Sequence, residues 1–137
     1  MSDKTYLDTN ILVYLFSDDE PEKQQIARKL VRGHSCITGI NNLNEMNFVL
    51  VRKKKLSVAK TRLALDCVVR DVEIALFRLT TLRETLYIME RHNYSYFDSL
   101  VIAMALESNS RMLYTEDMQH GQILETRLTI WNPFLLY

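Results

Sequence analysis

Short apolar runs alternate with longer helical ones along most of the 137-residue chain. Residues 5–8 read as a short strand that runs straight into an apolar helix over 10–16. Ser17-Asp18-Asp19-Glu20-Pro21 combines a cap residue, acids favoured by the helix dipole and a proline suited to a first turn. It predicts a helix over 21–32 with Ile26, Ala27, Leu30 and Val31 on one face, ended by Gly33. Residues 35–38 are a candidate strand, and 40–54 read as a helix that grows densely apolar toward its end. A second amphipathic helix is predicted over 58–72 with Ser57 as its cap, then a strand over 73–79 and a helix over 82–91. Residues 97–107 form a strongly apolar helix, and strands follow at 111–114 and 128–131, just before Pro133.

Strands separated by helices of this length imply βαβ units: a parallel sheet covered on both faces, with right-handed crossovers. In such α/β folds ligands bind outside the carboxyl ends of the strands, which directs attention to the residues just after each strand. The length allows one domain, read here as 1–137. With 47% hydrophobic and 25% charged residues the composition is that of a globular protein, which argues against disorder. No apolar run could span a bilayer, and MSDKTYLDTN lacks the basic and apolar regions of a signal peptide. A soluble, cytoplasmic protein without membrane contact is expected. Cys36 and Cys67 lie in apolar segments with no CxxC or nearby histidine at metal spacing. They read as reduced thiols, and a structural zinc site is excluded. Seventeen basic and seventeen acidic side chains cancel, which argues against a protein that coats nucleic acid by bulk charge.

Four carboxylates stand where chemistry is expected. Asp8 follows the first strand amid residues that want burial, where an ionised carboxylate needs compensation; the alternative is a cap on the helix starting at Asn10. Asp117 occupies the equivalent place after the strand at 111–114, with Glu116 as its competitor and a surface turn as the alternative for either. Asp98 opens the apolar helix, where an N-cap is the ordinary role. Glu45 lies in Asn41-Asn42-Leu43-Asn44-Glu45-Met46-Asn47-Phe48-Val49-Leu50 with no Lys or Arg three or four residues away, and a solvated helix face is its bland reading. Taken together, four acids without local basic partners suggest a shared divalent cation. Mg²⁺ takes oxygen ligands, keeps several waters and bridges carboxylates to phosphates, and such ions serve phosphodiester hydrolysis.

Tyr6-Leu7-Asp8-Thr9-Asn10 resembles the opening signature of PIN domains. Leu43-Asn44-Glu45 is similar to the segment carrying their second acid. Tyr96-Phe97-Asp98-Ser99-Leu100-Val101-Ile102-Ala103 resembles the third block, and Leu113-Tyr114-Thr115-Glu116-Asp117 the fourth. Met118-Gln119-His120-Gly121 looks like the continuation in a bacterial toxin branch, the VapC-like proteins. The resemblance spans residues 5 to about 131 and rests on all four blocks in order. It implies a three-layer α/β/α sandwich with a central parallel sheet. It also implies a Mg²⁺- or Mn²⁺-dependent endoribonuclease, a homodimer, and a cognate antitoxin partner. Asp8, Glu45, Asp98 and Asp117 would bind metal and act in catalysis, supported by Thr9, Asn10 and Thr115. Glu116 is a possible fifth acid, and Met46 stands where related sequences often have Phe.

Other residues carry weaker signals. Arg52, Lys53, Lys54 and Lys55 close a helix, where positive charge complements the dipole; a contact to the RNA backbone is the functional reading of Arg52, Lys53 and Lys54. Tyr94, Tyr96 and Tyr114 could stack on unpaired bases or pack locally. His120 could touch substrate or be polar surface, and Gly121 suits a turn with positive φ. Apolar density at 48–51 and 86–89 is a candidate dimer surface. Three alternatives compete. A dehalogenase-type phosphotransferase would need a second acid where Asn10 stands. A dinucleotide-binding domain would need a G-x-G-x-x-G, which is absent. A degenerate PIN scaffold that only binds RNA or protein is disfavoured by the complete set of acids.

Overall fold

The computed structural model describes residues 3–135, so the ends of the 1–137 domain read from sequence lie outside it. Its sheet is built from β1 (Lys4–Leu7), β2 (Ser35–Gly39), β3 (Glu73–Ala75), β4 (Met112–Tyr114), β5 (Ile123–Leu124) and β6 (Leu128–Trp131). The strand order is β3-β2-β1-β4-β6-β5. All pairings are parallel except β5 with β6. The helices are α1 (Thr9–Tyr14), α2 (Pro21–Gly33), α3 (Ile40–Arg52), α4 (Val58–Asp71), α5 (Leu79–His92) and α6 (Tyr96–Glu107).

The alternation of strand side chains divides the core in two. Tyr6, Ile37 and Leu113 turn to one face, where they meet α5 and α6 through Ile88, Ile102 and Leu106. Leu7, Cys36 and Tyr114 turn to the other, against Ile11, Ala27, Leu43, Met46 and Val68 of the first four helices. A helical layer therefore covers each face, which is the α/β/α sandwich expected from the sequence. Helix α6 is buried along nearly its whole length, which explains why its sequence is apolar all round rather than amphipathic.

The chain builds β1, β2 and β3 outward in one direction and then returns to place β4 on the other side of β1. The strand order reverses between β1 and β4, so this is the topological switch point where open α/β sheets bind ligands. Asp8 N donates to Tyr114 O at 3.0 Å and ties the two strand ends together there.

Four local expectations need correction. Ser17 does not cap α2: its hydroxyl donates to Val13 O at 2.7 Å, and Glu20 takes the cap position without a side-chain bond. The strand expected over 73–79 ends at Ala75, and α5 begins at Leu79 rather than 82. The reason is local: Thr81 Oγ1 accepts from Arg78 N at 3.0 Å and satisfies a donor at the helix start. Helix α3 stops at Arg52 rather than 54. The antiparallel strand β5 was not expected at all. Both cysteines are free thiols, Cys36 buried and Cys67 only partly so. No described helix is long and apolar enough to cross a membrane.

Candidate active site and metal centre

Asp8 sits one residue beyond β1 and is 7% exposed. Its Oδ1 accepts from Thr9 N at 2.7 Å, which caps α1, and from Asn42 Nδ2 at 3.2 Å. Its Oδ2 accepts from Thr115 Oγ1 at 2.8 Å. The capping alternative is thus met and does not exhaust the residue, because the second oxygen is held by the loop after β4. Thr115 is fully buried, and its hydroxyl also accepts from Asp117 N at 3.2 Å. One threonine therefore fixes two acids of the candidate site.

Asn42 was not singled out from the sequence, yet it organises the other side of Asp8. Besides Asp8 it donates to Thr9 Oγ1 at 3.0 Å, and its Oδ1 accepts from Gly39 N at 3.3 Å and from Tyr6 Oη. Gly39 starts α3, and a side-chain oxygen three residues on that accepts from the N-cap amide is half of a capping box. That signal was legible at Asn42, which also stands one helical turn before Glu45. A Cβ at Gly39 would overlap Asn41 Oδ1, Tyr6 Oη and Met104 Cε, so a side chain there would force these groups to shift.

The remaining acids arrive on other elements. Glu45 is exposed on α3 and Asp98 partly buried on α6. Ser95, not Asp98, caps α6: its Oγ accepts from Asp98 N at 3.2 Å, so the carboxylate of Asp98 is not spent on capping. Asp117 is exposed and accepts from Asn10 Nδ2 at 2.9 Å. Asp8, Glu45, Asp98 and Asp117 all line one cleft of about 1280 Å³. None of them is paired with a lysine or arginine among the described residues. Glu116 does not line the cleft and is engaged elsewhere, accepting from Lys23 Nζ at 2.8 Å and from Tyr14 Oη at 2.5 Å.

The acids feel one another. Burial, reinforced by the charges of Asp117 and Asp98, lifts Asp8 to about 6 against the hydrogen bonds from Thr115 and Thr9 that lower it. Asp98 is raised by burial and by Glu45. Asp117 is raised by burial, then by Glu116 and Asp98, while its Asn10 bond opposes the shift. Such a set of like charges is what a cation would relieve. Among the described residues, however, no three His, Cys, Asp or Glu side chains are gathered tightly enough to hold an ion unaided. A closed protein cage is therefore the wrong description. An open all-oxygen set fits Mg²⁺, which takes one or two carboxylates and keeps several waters.

The expected RNA contacts divide. Lys53 and Lys54 line the cleft, although Lys54 also pairs with Asp19 at 3.1 Å. Arg52 lies over the Phe48 ring, 6.0 Å from its centroid. Tyr96 meets Phe97 edge to face at 5.5 Å, and it is Phe97 that lines the cleft. Tyr94 donates to Gln122 and Tyr114 is buried in the core. His120 packs on Trp131 at 4.3 Å, and its Nδ1 accepts from Asn132 N at 2.9 Å, which places it outside the cleft. Gly121 has φ 85°, as expected. Sequence reasoning missed the phenylalanines at the cleft, Phe48, Phe77 and Phe97, whose exposure could not be read from an apolar pattern.

A doubly wound sheet with carboxylates gathered at its switch point defines a class of small α/β proteins with an acidic cleft at the strand ends. The chain belongs to the PIN domain family, whose family model matches residues 5–123. Its fold is similar to that of a toxin–antitoxin complex from Klebsiella pneumoniae, with a TM-score of 0.73 at 17% identity over 96% of this chain and 99% of that one. It is also similar to VapBC2 from Rickettsia felis bound to a DNA fragment from its promoter, with a TM-score of 0.67 at 19% identity over 94% and 99%. A third similar structure is Mycobacterium tuberculosis VapC20, a sarcin–ricin loop cleaving toxin, with a TM-score of 0.63 at 17% identity over 82% and 89%. No curated protein matches the sequence significantly.

Proposed function

We propose that the chain, acting as one PIN domain, is a Mg²⁺- or Mn²⁺-dependent endoribonuclease of the VapC-like toxin type, working in the cytoplasm and neutralised by a cognate antitoxin. The observation that carries this reading is the convergence of Asp8, Glu45, Asp98 and Asp117 on one cleft without a basic partner among the described residues. Family membership and the toxin–antitoxin context of the similar structures support it.

Asp8, Glu45, Asp98 and Asp117 would hold the ion through one or two direct carboxylates and the rest through water. When bound, the ion supplies Lewis-acid activation of water and stabilisation of the leaving oxygen. The chain's own contribution is orientation. Thr115 and Asn42 fix both oxygens of Asp8, and Asn10 holds Asp117. Lys53 and Lys54 supply positive charge at the cleft for the RNA backbone.

A homodimer is part of the proposal. Leu79 and Leu86, one face of α5, are 63% and 59% exposed, with Tyr87 and Met89 beside them. This surface suits a second copy better than the 48–51 segment does, because Phe48 lines the cleft. Light scattering is expected to give a dimer, and Leu86→Glu a monomer.

The activity test uses purified protein and single-stranded RNA. Cleavage should require Mg²⁺ or Mn²⁺ and stop in EDTA. Undiminished cutting in EDTA would refute the metal mechanism, and RNA binding without cutting would favour a degenerate scaffold.

A further inference from the structure

Helix α3 holds more asparagine than its folding uses. Asn42 is buried and fully engaged around Asp8. Asn41, Asn44 and Asn47 are not used in this way, although asparagine is a poor helix former. All three line the acidic cleft beside Glu45. The Oδ1 atoms of Asn41 and Asn47 are buried with no hydrogen-bond partner among the described residues, and Asn44 is exposed next to them. A buried polar atom without a partner is rare and destabilising. Two such atoms in one helix, with a third asparagine between them, weaken the fold with no structural return, the pattern found where function rather than stability sets the sequence.

The same face carries an aromatic ring. Helical spacing sets Phe48 in line with Asn41 and Asn44, and it is 59% exposed at the cleft. Phe97, next to Asp98, is 75% exposed in the same cleft. The exposed carboxamide of Asn44 offers an adjacent donor and acceptor, the pair that a nucleobase edge presents in complement, and Asn41 and Asn47 flank it in the cleft. An exposed ring offers a stacking surface that only an unpaired base can reach.

We propose that Asn44, flanked by Asn41 and Asn47 and with Phe48 as stacking surface, reads an unpaired nucleobase beside the phosphodiester held at the acids. This deepens the ribonuclease reading and rests on it. The enzyme is then selective for single-stranded RNA and for the identity of one base: the ring provides base-tolerant affinity and the amides the discrimination.

The experiment compares wild type, the Asn41→Ala/Asn44→Ala double variant and Phe48→Ala. Each is tested on short single-stranded RNAs that differ in the base flanking the cut. Wild type should show a spread of about tenfold or more between best and worst base, the scale of one bidentate amide–base contact. The double variant should reduce that spread to below about threefold, and melt at or above the wild-type temperature because alanine is the better helix former. Phe48→Ala should slow all substrates together. An unchanged spread in a well-folded double variant would overturn the proposal, as would a double variant that melts well below wild type, which would make the amides structural. Wild type that cuts none of the RNAs in Mn²⁺ would instead defeat the nuclease reading. In that event fluorescence anisotropy of the labelled RNAs in EDTA decides the base-reading strip on its own: it stands if the affinity spread collapses in the double variant and falls if it does not.

Discussion

The candidate site has a fixed half and an open half. Asp8 is buried, and Thr9, Asn42 and Thr115 hold both its oxygens. Glu45 on α3 and Asp117 after β4 lie exposed, while Asp98 stands between these extremes. The difference teaches how a small domain can keep four acids in one cleft. One carboxylate bears the desolvation and is secured by hydrogen bonds that recover part of it. The others stay near water, where their charge is tolerable before an ion arrives.

The largest effect expected is on activity, where the two halves should fail alike. Asp8→Asn or Asp98→Asn should lower RNA cleavage at least about 10²-fold, the scale seen when a key electrostatic group is lost. A variant of either that keeps more than a tenth of the rate would break the claim that both serve one ion.

Stability separates the halves. A carboxyl lifted from 3.8 to about 6 binds its proton more tightly in the folded than in the unfolded chain. Its contribution is therefore most favourable below pH 4 and is lost as pH rises through 6. At neutral pH Asp8→Asn should stabilise the metal-free protein by about 1–3 kcal/mol, allowing for a weakened Thr115 bond. Below pH 4 that gain should vanish. Denaturant titrations in EDTA at both pH values measure it, and a gain that grows toward low pH would reverse the sign of the argument.

A smaller effect tests the support of the fixed half. Tyr6→Phe removes the hydroxyl that donates to Asn42 Oδ1. With the Gly39 bond still satisfying that oxygen, the cost should be about 1 kcal/mol and cleavage should fall only a few-fold. Least of all, Glu45→Gln should shift stability by no more than about 0.5 kcal/mol, as for an exposed residue without partners, while cleavage drops. Chemical denaturation of both variants checks the ranking.

The two halves also differed in what the sequence disclosed. All four acids were legible because each stands at a strand end, a helix start or an apolar helix without a basic neighbour. The three-layer fold was legible from the alternation of short and long apolar runs. The local capping bond of Asn42 to Gly39 could have been read, but its hold on Asp8 and its bond from Tyr6 depend on the β1–α3 approach, a contact between segments far apart in the chain. The hairpin strand β5 was missed because its turn gives none of the usual signals. Glu125 and Thr126 both have positive φ, 50° and 59°, where asparagine and glycine are expected. Glu116 looked equivalent to Asp117 in sequence, and only the fold shows it turned toward Lys23.

The most direct test of a shared ion is thermal melting of wild type and Asp8→Asn, each in EDTA and in Mn²⁺. Wild type should melt higher with Mn²⁺, by the equivalent of about 2.7 kcal/mol at a hundred times the dissociation constant, and Asp8→Asn should gain much less. A wild type indifferent to Mn²⁺, with an Asp8→Asn variant that melts well below it in EDTA, would contradict the metal centre and leave Asp8 a structural cap.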